Sequence, residues 1–161
     1  MILALLVTAP PQHEQAWHAL HFCEAAIAKG HTIERVFFYG DGVLHGNLLN
    51  TPPQDEANLA PRWAALAANG TELVICVAAA LKRGILDEGN ARRFEKPVAN
   101  LAPGFIISGL GQLAESLAVR IGLAEPNSPL LRGYAYHQFI GPSIGTALSR
   151  DALEGRYTES N

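Results

Sequence analysis

The feature that most limits what this chain can become is an unbroken apolar run, Ile2 to Val7, at its start. A strand with one face in water alternates polar and apolar residues. A continuous run of this length suits a parallel strand buried on both faces. "TAPPQ" breaks it, and Gln12 to Lys29 then places Ala16, Leu20, Cys23 and Ile27 three or four residues apart, the spacing of a helix that Gly30 is suited to end. The alternation recurs. "TIERVFFYG" (Thr32 to Gly40) predicts a second strand, "DGVLHGNLLNTPPQDE" a loop with room for a short helix, and the stretch from Asn58 to Asn69-Gly70 a second long helix with Pro61 in its first turn. Glu72 to Val77 is the third strand, Ala78 to Arg83 a short helix, and "DEGNARRFEKPVANLAPG" a polar, turn-rich connection in which Asp87 and Glu88 read as turn residues. "GFIIS" gives a fourth strand, followed by a Ser-Gly-Leu-Gly turn and a helix from Gln112. The order β-α-β-α-β-α-β-α predicts an α/β fold, a mostly parallel sheet with helices on both faces. Past Gly122 the periodicity fades and the pattern assigns no fold role.

At 161 residues the chain has the length of one domain with a genuine core. Hydrophobic residues make up 48% and charged residues 17%, as in a globular protein, and the net charge of −3 lacks the basic footprint of direct nucleic-acid binding. The apolar start has no basic residue before it, so it reads as a buried strand and not as a signal peptide; no run approaches a membrane span. Two cysteines, Cys23 and Cys76, make neither a disulfide framework nor a metal site, and a reducing, cytoplasmic setting is expected.

The chemistry centres on "TELVICVAAALKRG". Cys76 falls where the third strand ends and a helix begins, and ligands gather at the carboxyl ends of strands in open α/β sheets. Free N–H groups at a helix start favour a nearby anion, here a thiolate or a persulfide, and Lys82 and Arg83 follow closely. Free cysteines also pack as small hydrophobes. Local context leaves both readings of Cys76 open. Cys23, mid-helix among Leu20, Phe22 and Ile27, reads as core packing. "SGLGQLAE" lacks the full dinucleotide fingerprint, which disfavours a nucleotide-binding module. His13, His18 and His21 lie along the first helix and read as a solvated or packed face, short of the further ligand a metal needs. His45 is either a surface-loop histidine or an acid or base near Cys76. No Ser/His/Asp arrangement is visible.

Four stretches, "LLVTAPP", "VFFYGDGVLHGN", "ICVAAALKRGILDE" and "GFIISGLGQLAE", together resemble the DsrE/DsrF-like sulfur-relay family, and within it the TusD branch, across roughly residues 1–118. The resemblance implies a three-layer α/β/α fold and a heterohexamer with TusB- and TusC-like subunits. It also implies a sulfurtransferase without metal or organic cofactor, whose sulfur-accepting cysteine falls on Cys76. Persulfide sulfur would arrive from a TusA-like donor, pass to a TusE-like acceptor and end in the 2-thiolation of tRNA wobble uridine by a separate enzyme. The alternatives are a DsrE-type sulfur carrier in dissimilatory sulfur oxidation and a non-catalytic structural subunit of a hetero-oligomer. Residues 119–161 depart from the family pattern and are read as a divergent C-terminal extension or the product of a shifted reading frame.

Overall fold

A computed structural model describes residues 2–110 and the strand 137–139. The elements run β1 (Ile2–Val7), α1 (Glu14–Ala28), β2 (Thr32–Phe38), a 3-10 segment (Gly40–Gly46), α2 (Ala60–Ala68), β3 (Glu72–Cys76), α3 (Val77–Lys82), α4 (Glu88–Arg93), β4 (Phe105–Ser108) and β5 (His137–Phe139). Every strand pairing is parallel, and the order across the sheet is β4-β3-β2-β1-β5. The expected α/β fold, a parallel sheet flanked by helices, is the one observed. The helix expected from Gln112 lies outside the described residues. β5 adds a strand beside β1, with Leu5 opposite His137, in a stretch whose composition had suggested no element.

Register explains the burial pattern. Val7, Phe38 and Ile75 are aligned across β1, β2 and β3, as are Leu5, Val36 and Leu73, and all six are buried. They form one face of the sheet, because residues two apart on a strand share a side. α2 covers this face: the Trp63 ring meets Phe38 edge-on at 5.1 Å. α1 lies against α2, where Arg62 pairs with Glu24 and stacks over Trp17 at 5.3 Å. The opposite face carries Phe37, Val74 and Cys76, also buried.

Four successive helices stop in the same way. After α1, Gly30 adopts φ 79° while its N–H donates to the Ile27 carbonyl and the N–H of His31 to that of Ala26. Gly70 and Gly84 repeat this left-handed stop after α2 and α3. After α4 the same two bonds form around Glu95, whose φ is 52°. α4 itself corrects the reading of Asp87 and Glu88 as turn residues. Asp87 caps it, its Oδ1 accepting from the Asn90 N–H at 2.7 Å, and Glu88 is its first residue. Six residues are too few for periodicity to register. The signal that was there is the Asp cap followed by arginines in the last turn.

The loop after β2 folds inward. A Cβ on Gly42 would stand 2.2 Å from the Val7 carbonyl oxygen, so only glycine allows the 3-10 segment to sit on the end of β1. This seats His45 in the core at 3% exposure. The surface-loop reading of His45 is therefore corrected. Its Nδ1 accepts from Trp63 Nε1–H at 3.1 Å and its Nε2–H donates to the Ala9 carbonyl at 3.2 Å, which fixes one neutral tautomer.

Two outcomes follow for stability. Glu95→Gly should raise it by about 1 kcal/mol, because the left-handed conformation penalises a side chain; urea unfolding measures this. Burial pushes the His45 pKa down from 6.5 to about 4. Below about pH 6.5 the unfolded chain takes up a proton that the folded chain refuses. Stability should thus fall by on the order of 3 kcal/mol as pH drops from 6.5 towards 4, levelling off below. His45→Gln should remove this part of the slope in urea midpoints measured across that range.

Candidate functional site

Cys76 is the last residue of β3 and the N-cap of α3, with φ −63° and ψ 121°. The chain turns from strand to helix at this residue, so its thiol stands at the carboxyl end of the sheet. Three alanines follow, of which Ala79 and Ala80 pack inward. α3 is held from two sides. Arg83 donates through Nε and Nη2 to Asp41 Oδ1 at 2.9 and 2.7 Å, and through Nη1 to the Ala79 carbonyl at 3.1 Å, tying α3 to the 3-10 segment. Behind it, buried Asn100 accepts from the Leu86 N–H at 2.9 Å and donates to the Gly84 carbonyl at 3.0 Å and to Asn47 Oδ1 at 3.1 Å. Neither Asp41 nor Asn100 stood out in the sequence, since each acts on residues distant along the chain.

The thiol is 1% exposed. On β4 the residue in register with Cys76 is Ser108, which is partly exposed.

Cys23 is placed as expected, fully buried on α1, and burial pushes its thiol up to about 12. A thiol held protonated in this way is a poor nucleophile. His45 is not brought to Cys76 as an acid or base. Its ring packs on Phe38 and Trp63, on the face of the sheet opposite to Cys76, and both its nitrogens are engaged. His13, His18 and His21 are exposed along the start and outer side of α1. Among the described residues no cluster of His, Cys, Asp and Glu is placed to hold a metal ion. No helix of the described residues is long and apolar enough to cross a membrane. Ser108 of "SGLG" ends β4, and the turn and helix expected there run on into residues outside those described.

The chain is similar to several known proteins. It is 50% identical over 118 residues to the sulfurtransferase TusD of Salmonella dublin, which covers 72% of this chain and 92% of that one. It is 51% identical over 114 residues to the sulfurtransferase TusD of Serratia proteamaculans, covering 70% and 88%. It is 52% identical over 108 residues to the DsrE protein of Allochromatium vinosum, covering 66% and 83%. Among solved structures, the YchN protein of E. coli superposes with a TM-score of 0.54 at 19% identity, over 73% of this chain and 91% of that one, a likeness of fold. The sequence model of the DsrE/DsrF-like family matches residues 1–119. The chain belongs to the DsrE/DsrF-like family.

Proposed function

We propose that this chain is a sulfur-relay subunit that accepts persulfide sulfur on Cys76 and passes it on for 2-thiolation of the tRNA wobble uridine. The observation that carries this reading is the position of Cys76, at the carboxyl end of β3 and the head of α3, in a chain half identical to proteins named sulfurtransferase. The Cys76 thiolate attacks the outer sulfur of the donor's persulfide, a bond forms to that sulfur, and the donor's thiolate leaves with the electrons of the broken S–S bond. The acceptor's thiolate later repeats the attack on the outer sulfur at Cys76. Sulfur changes hands without net oxidation or reduction, so the exchange needs neither a metal nor an organic cofactor.

The similarity to TusD supports TusB- and TusC-like subunits in a heterohexamer, a TusA-like donor and a TusE-like acceptor as partners. The net charge of −3 agrees with a protein that handles sulfur and leaves tRNA to a separate enzyme. A second reading, a DsrE-type carrier in dissimilatory sulfur oxidation, draws on the 52% identity to the Allochromatium protein. Delivery from the loaded chain to a TusE-like acceptor, and restoration of 2-thiouridine in a strain lacking TusD, favours the first reading. Loading without such delivery favours the second.

The test of Cys76 is peptide mass spectrometry of the complex after incubation with a cysteine desulfurase, cysteine and a TusA-like carrier. The Cys76 peptide should gain one sulfur atom, and Cys76→Ser should abolish the gain. Cys23→Ser should load normally while losing about 1–3 kcal/mol of stability for a buried hydroxyl without a partner. No gain on Cys76 from a carrier shown to be loaded would point instead to a non-catalytic structural subunit.

A further inference from the structure

Strand pairing places one polar side chain beside the Cys76 thiol. Cys76 and Ser108 end neighbouring parallel strands and are partners in register, with Val74 opposite Ile106 and Ile75 opposite Ile107 before them. Neighbouring strands lie about 4.8 Å apart, and partners in register present their side chains on the same face. On the β2 side, Phe37 puts a buried ring opposite Val74, and Tyr39, the extended residue after β2 that continues this register towards Cys76, is 43% exposed. On β4, Ser108 is the residue in register with Cys76, and its hydroxyl is a donor on the same face of the sheet. It makes no hydrogen bond to any described residue. Ser108 lies on β4, at one end of the sheet, and is partly exposed where Cys76 is 1% exposed.

We propose that Ser108 is a further catalytic residue, whose Oγ–H donates to the outer sulfur of the Cys76 persulfide. This rests on the sulfur-accepting reading of Cys76. The outer sulfur of Cys76–S–SH sits about 2 Å beyond Sγ, within the span between the two strands. When that sulfur loses its proton to solvent it becomes a charged acceptor, and hydrogen bonds to charged groups are about twice as strong as neutral ones. The hydroxyl stabilises the loaded state against premature loss and turns the outer sulfur towards the open side. Ser108 forms no covalent bond and carries no charge itself. The bonds made and broken remain the two S–S bonds of the exchange.

The experiment compares wild type with Ser108→Ala and Ser108→Thr, and uses inorganic polysulfide as donor so that it does not depend on the carrier. The Cys76 thiolate displaces hydrosulfide from HS–SH to give Cys76–S–SH and HS⁻. Mass spectrometry then follows the loss of the added sulfur to a small thiol acceptor, with thermal unfolding measured in parallel. Ser108→Ala should load on Cys76 and lose its sulfur about tenfold faster, with an unchanged unfolding midpoint. Ser108→Thr keeps the hydroxyl and should restore the lifetime, which a purely structural role of Ser108 would not produce. A persulfide on Ser108→Ala as long-lived as on wild type would overturn the assignment. So would failure of Thr to restore it while both variants remain folded. Loading by polysulfide without loading by the carrier would overturn the relay reading and leave the Ser108 comparison to be read from the lifetimes. No sulfur on Cys76 from either donor would overturn both.

Discussion

The carboxyl end of the sheet is assembled around one aromatic ring. Phe38, the last residue of β2, meets Trp63 of α2 at 5.1 Å, and His45 of the 3-10 segment and Phe105 of β4 at 5.4 Å each. A buried aromatic cluster of this kind combines large apolar burial with preferred ring geometry. It brings together four segments far apart in the chain. The Trp63–His45–Ala9 hydrogen bonds then close it, joining the cluster to the end of β1. Everything that frames Cys76 is attached to this assembly. Asp41 and Asn47 flank His45 along the same segment and reach Arg83 and Asn100 on the other side.

The two faces of the sheet divide the labour. On one, α1 and α2 bury the aligned rows of Leu5, Val36 and Leu73 and of Val7, Phe38 and Ile75. On the other, Cys76 and Ser108 stand at the ends of neighbouring strands. The backbone of a parallel ladder sets the separation of these two residues. Side chains on loops give no such precision. The two thiols differ in placement: Cys23 is on the buried side of α1, in mid-helix, and Cys76 is at a strand end where the chain changes direction.

The strands and the longer helices were legible in the sequence because each carries its own period. The apolar run of Ile2 to Val7 and the three- and four-residue spacing along α1 need no partner to be recognised. The strand-to-helix junction at Cys76 was legible in "ICVAAALKRG", while local context left the role of its thiol open. α4 was not, because six mostly polar residues hold too little pattern. His45 was misread for a different reason. "GVLHGN" has the composition of a loop, and what buries its histidine is a tryptophan eighteen residues on and a carbonyl thirty-six residues back. Asn100 was silent likewise, since its three side-chain bonds close only after α3 and the 3-10 segment are in place. Local patterns report elements; buried polar groups are explained by contacts that sequence spacing does not display.

The position of β5 bears on the chain's birth. Leu5 of β1 pairs with His137, some 130 residues later, whereas its partner on the other side, Val36, follows within one helix. Ribosomes add about 5–20 residues per second, so β1 is complete roughly ten seconds before β5 emerges. Throughout that interval β1, an uninterrupted apolar strand, is the outer edge of the nascent sheet with its ladder groups unpaired. Such an edge is a template for pairing with another copy on the same polysome or with any extended chain nearby. The fold therefore places its most sticky strand under protection that arrives last, and demand for a chaperone should be greatest while the final third of the chain is being made.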